Sequence, residues 1–152
     1  MNYLTLVIAL FMTPAVFAAG NSNGSGYSNN SDNPDIGKNM KAAHSLIADQ
    51  SYKAAIRKLN NVIRGDYKNA DAWNLLGYSN RKLGKYKKAN KAYRKALKYN
   101  PAHKGALEYQ GELFIETKQF DKARANRATL AALCPIGCEE LSLLDEALAQ
   151  VN

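Results

Sequence analysis

Histidine and cysteine are scarce in this 152-residue sequence, two of each, and tryptophan occurs once. His44 and His103 stand far apart in the chain, so no helical pair of metal-ligating histidines can form. There is no Gly-rich phosphate loop and no Ser or Cys nucleophile accompanied by a base, which leaves catalysis without a constellation. No cofactor is implied, and the chain is not read as an enzyme. Long apolar runs are lacking too. The longest, Leu4 to Met12, is broken by Thr13 and Pro14 and falls short of the roughly 20 apolar residues a spanning helix needs.

With Val16, Phe17 and Ala18 after it, that run reads as a secretory signal over residues 1–18, cleaved after Ala18, a membrane anchor being the competing reading. No Cys marks a lipoprotein site. The mature chain is then expected to be exported, to a periplasm or outside the cell. Residues 19–35 are nearly all Gly, Ser, Asn and Asp, bury too little apolar surface to order, and read as a flexible linker.

Negative charge is sparse through the next segments. Basic and acidic residues number seven and two over 36–69, nine and one over 70–103, five and four over 104–135, and none and four over 136–152. The formal net charge of +8 therefore belongs to the first two segments.

A 34-residue period appears when the chain is laid over itself. Small residues recur at Ala43, Gly77 and Gly111, aromatics at Tyr52, Tyr86 and Phe120, and alanines at Ala55, Ala89 and Ala123; Pro101 pairs with Pro135. Each unit predicts two antiparallel helices. The small residue admits a close neighbour, the aromatic fills the space beside the turn, and proline ends the second helix. Ala89, Ala92, Tyr93, Ala96 and Leu97 follow helical steps, with Lys87, Lys88, Lys91, Arg94, Lys95 and Lys98 around the remainder. Leu141, Leu144, Ala147 and Leu148 form the apolar stripe of a capping helix, placed at 137–150.

The middle unit carries Trp73, Leu76, Gly77, Gly84, Tyr86, Ala89, Tyr93, Ala96 and Pro101 in the order and spacing of the tetratricopeptide repeats, which it resembles, with Asn80 in place of an aromatic. The third unit has Leu107 for the tryptophan and Arg127 for an apolar residue; the first lacks tryptophan and proline. The resemblance, to a small exported bacterial type, implies an all-α fold: a right-handed α-solenoid of three hairpins (36–69, 70–103, 104–135) plus the capping helix, together a domain over 36–150. It also implies a protein-interaction role, with the first helices lining a concave groove. Exposed groove positions are then expected at Met40, His44, Ile47, Asn74, Tyr78, Arg81, Lys82, Glu108, Glu112 and Glu116. Their partner would be an extended peptide or helix of mixed charge, unless Glu112 and Glu116 merely neutralise Arg81 and Lys82. The Lys/Asn/Arg set by which some family members clamp a terminal carboxylate is missing, Met40 and His44 standing where it would begin.

The basic second helix of the middle unit is a solvated face, or else a surface for anionic membrane or glycan. Nucleic acid is not expected, since no aromatic platform is foreseen there for stacking. Cys134 and Cys138, in CPIGC, are read as a local disulfide in an oxidising compartment. A metal pair and a redox-active thiol pair are the alternatives.

Overall fold

The computed structural model describes residues 34–151. The proposed signal, 1–18, and all but the last two residues of the linker, 19–35, lie outside them. The described residues form seven helices and no strand: α1 (Pro34–Ala48), α2 (Tyr52–Gly65), α3 (Ala70–Lys82), α4 (Tyr86–Tyr99), α5 (Lys104–Glu116), α6 (Phe120–Leu133) and α7 (Glu139–Ala149). Each helix packs on the next, α3 also meets α5, and α7 lies across both α5 and α6. The result is a solenoid of three hairpins closed by a cap. None of these helices is long and apolar enough to cross a membrane.

Two boundaries differ from those expected. α1 takes in Pro34 and Asp35, assigned above to the linker, because proline is tolerated in a first turn whose amides lack partners, and Asp35 there favours the helix dipole. α7 begins at Glu139 rather than 137, because Gly137 has φ +90° and Cys138 is extended.

The 34-residue period reappears in backbone details. A left-handed residue closes each hairpin turn, at Gln50 (φ 57°), Gly84 (φ 68°) and Lys118 (φ 58°). Only the middle unit places glycine there, so the outer turns carry the steric cost of a side chain. Asn69 caps α3 by accepting from the Ala72 amide at 2.9 Å. At the same register His103 caps α5, its Nδ1 accepting from the Ala106 amide at 3.2 Å. That bond requires the proton on Nε2, which lies 3.0 Å from Asp71 and holds that carboxyl below its ordinary value.

Packing follows one column. Leu59 and Tyr93, 34 residues apart, are fully buried. Tyr93 lies so close over Gly77 that a β-carbon there would fall 2.5 Å from the ring. The next residue in this column is Arg127, which cannot fill the corresponding space over Gly111. The cap supplies the missing group: Leu144 would lie 2.7 Å from a β-carbon at Gly111. Arg127 turns outward to the Asp145 carboxylate, at 2.6 and 3.0 Å. A chain of side-chain amides crosses the last hairpin, with Gln110 Nε2 donating to Asn90 Oδ1 at 2.8 Å and Asn126 Nδ2 to the Leu107 carbonyl at 2.9 Å.

Two substitutions test this packing by urea unfolding. Gly77→Ala should cost about 1–3 kcal/mol through overpacking against Tyr93. Lys118→Gly should add roughly 0.5–1 kcal/mol by relieving the left-handed residue.

Candidate functional site

The first helices α3 and α5 lie side by side, and the charged residues foreseen for the groove meet along their seam. Arg81 projects from the last turn of α3 to α5. Its guanidinium pairs with Glu112, and through Nη1 with Glu116 at 2.5 Å. The contact differs from an exposed surface pair. Arg81 is only 6% exposed, so the expectation that it is open to a partner is corrected: it is a buried cross-link between adjacent repeats. Asn74 and Glu108, also expected to be exposed, are 6% and 4% exposed. The reason is common to all three. The narrow seam between successive first helices covers side chains that a single helical wheel would leave outside.

Arg81 also stands over two aromatic rings, 5.7 Å from the centroid of Tyr78 and 5.9 Å from that of Tyr109. Those rings are 4.9 Å apart, and Tyr52 meets Tyr78 edge-on at 6.2 Å. Burial would lower the Arg81 pKa, but Glu112, Tyr93 and Glu116 outweigh it and the guanidinium stays charged. Burial conversely raises the Tyr93 and Tyr109 hydroxyls above their ordinary value. The Tyr93 hydroxyl is buried beside Arg81, which draws its pKa down against the larger effect of burial, and Arg81 Nε is buried without a hydrogen bond.

Lys82 is exposed and lies over the open side of Tyr78, 5.4 Å from its centroid. It forms no pair with Glu112 or Glu116; Arg81 takes both. On α1, His44 is exposed while Met40 and Ile47 are half-buried, and Met40 packs on the first core cluster. The sequence reading missed Tyr52 and Tyr109. Tyr109 could have been found from its place on α5 beside Glu108, but Tyr52 belongs to a second helix, outside the register used to choose groove positions.

Glu108 is the most perturbed carboxyl. Burial, then the neighbouring Glu112, push its pKa up to about 8 against the opposing pull of Arg81, with Glu140 and Glu139 at the start of α7 adding to the rise. It forms no hydrogen bond or ion pair with the described residues. Among those residues no group of three or more His, Cys, Asp and Glu is placed to hold a metal ion.

Beside this end of the groove, Cys134 and Cys138 are joined, with their α-carbons 5.8 Å apart. The Gly137 amide donates to the Cys134 carbonyl at 2.8 Å, closing the turn that carries the chain from α6 to α7, with Ile136 fully exposed at its apex. On α4, Lys87, Lys88, Lys91, Arg94 and Lys98 are exposed. Aromatic rings stand near them: Tyr67, 52% exposed, makes edge contacts with Trp73 and Tyr99 at 5.6 and 5.7 Å, and its hydroxyl accepts from Lys95 Nζ at 2.8 Å.

Residues 70–103 match the tetratricopeptide repeat family model. Among curated proteins, no sequence matches the chain. Similar solved structures include the type III secretion translocator chaperone SycD of Yersinia enterocolitica, with TM-score 0.72 and 15% identity over 81% of this chain and 96% of that one. Another is the second TPR domain of human RPAP3 in complex with the HSP70 peptide SGPTIEEVD, with TM-score 0.66 and 18% identity over 74% and 94%. A third is PcrH in complex with the chaperone binding region of PopB, with TM-score 0.67 and 16% identity over 80% and 97%. The described residues have the tetratricopeptide-repeat fold, and the middle hairpin is such a repeat.

The buried carboxyl predicts a pH dependence. Its folded pKa is raised, so the native state binds more protons than the unfolded state from about pH 4.5 to about 8, and stability falls as pH rises through that window. The unfolding free energy should decline between pH 5 and 9 by on the order of a few kcal/mol, seen also as a falling melting temperature, and Glu108→Gln should remove the decline.

Proposed function

We propose that this chain is a non-enzymatic protein-interaction scaffold of the cell envelope, holding an extended peptide of its partner against the first helices. The observation that carries the reading is the strip formed by Tyr52, Tyr78 and Tyr109 with Lys82 beside it. Tyr78 in contact with Tyr52 on one side and Tyr109 on the other, with the lysine ammonium near its own ring, gives an amphipathic surface of the kind that anchors peptides at low entropic cost. The fold shared with the RPAP3 and PcrH structures, each in complex with a peptide or protein segment, supports the same mode.

Export is the second part of the proposal. The apolar segment 4–12 followed by small residues and the Cys134–Cys138 bridge support a location outside the reducing cytoplasm. Met40, His44 and Ile47 extend the groove along α1, and Glu112 and Glu116 form its far side. A competing reading, attachment to anionic lipid or glycan, has the exposed basic row of α4 in its favour.

Panning a random peptide library on the purified protein separates the two. Groove binding predicts ligands whose affinity falls about tenfold or more with Tyr78→Ala or Lys82→Glu and is indifferent to charge reversal at Lys87, Lys88 and Lys91. Loss on the α4 reversals instead, together with salt-sensitive adsorption to phosphatidylglycerol vesicles, would transfer the function to the basic face.

A further inference from the structure

Two buried polar side chains face the same seam. Asn74 and Glu108 stand 34 residues apart, at the same register of α3 and α5, and are 6% and 4% exposed. The Asn74 Oδ1 atom has no hydrogen-bond partner, and Glu108 has neither hydrogen bond nor ion pair among the described residues. The two lie along one stretch. Asn74 Nδ2 is 3.4 Å from where a β-carbon of Gly105 would be, one turn before Glu108 on α5. A buried acceptor left without a donor is a departure from ordinary satisfaction, and here it stands at the same register as a buried carboxyl.

Charge points the same way. Within electrostatic reach of Glu108 lie Arg81 from α3, Glu112 and Tyr109 from α5, and Glu139 and Glu140 from the first turn of α7. Arg81 is spent on Glu112 and Glu116, so the nearby carboxylates exceed the nearby cations. An ammonium or guanidinium would offset that excess and supply hydrogen-bond donors as well.

We infer that the α5–α7 end of the groove is a pocket for a lysine or arginine side chain of the bound peptide, received by Glu108 with Asn74 as the second acceptor. This deepens the proposed peptide-binding function and rests on it. A cation brings the donor that Asn74 Oδ1 lacks, and its charge favours the carboxylate form of Glu108 that burial otherwise opposes. The exchange releases a proton. The Tyr78–Tyr109 pair, one turn on from Asn74 and next in sequence to Glu108, holds the peptide backbone beside the pocket.

Ligands selected from the random library give the test. They should carry Lys or Arg at one fixed position, and replacing it by norleucine or citrulline should weaken binding about tenfold or more. Glu108→Gln should abolish that discrimination, so that the basic and neutral peptides bind alike in a double-mutant cycle. Calorimetry at pH 7 should show proton release with the wild type, read as an enthalpy that changes between phosphate and Tris buffers, and none with the variant. Tyr78-dependent ligands with no basic preference, or discrimination that survives Glu108→Gln, overturn the pocket and leave the groove function standing. Failure to recover any Tyr78-dependent ligand overturns both.

Discussion

The array depends on how closely a first helix can approach what lies behind it. Gly77 and Gly111 open that distance to Tyr93 and Leu144, and Ala43 shares its buried cluster with Leu59. A core built this way is modular: each hairpin needs its neighbour to cover an apolar face, and the series can stop only where a foreign element takes the neighbour's place. Leu144 is that element. It explains why Arg127 is tolerated in a column that is elsewhere apolar: the volume it would have filled is already taken.

The same stacking creates the binding surface and spends part of it. Where α3 and α5 converge, Arg81 links two repeats, holding Glu112 and Glu116 in place beneath the tyrosines. A buried ion pair seldom adds net stability over an apolar substitute, but removing one partner strands the others. Arg81 is better understood as fixing the spacing of the seam than as a recognition residue, and Lys82, one position on, is the exposed one of the two, to which we assign the proposed recognition role.

Much of the fold was legible because its determinants are local and repeated: glycine, aromatic and alanine columns report one hairpin each. The ends of elements were less so, since they turn on single residues such as Gly137, whose backbone angle no periodicity encodes. The groove was legible by register and misjudged by burial. Helical phase places Asn74, Arg81 and Glu108 on the correct face, yet whether that face is open depends on the distance to a helix 34 residues away. Tyr52 escaped for the same reason, as it reaches the seam from the second helix of the preceding unit.

The ring closed by Cys134 and Cys138 has a topological consequence. In a repeat protein the common route to an unwanted dimer is exchange of a terminal element, for which the last connection must straighten so that α6 and α7 run on toward a second copy. The bridge limits how far that connection can open, which favours Leu144 packing over the Gly111 of its own chain, with Glu139 and Glu140 near Glu108. A short covalent ring at this joint makes exchange of the cap harder than an open linker would.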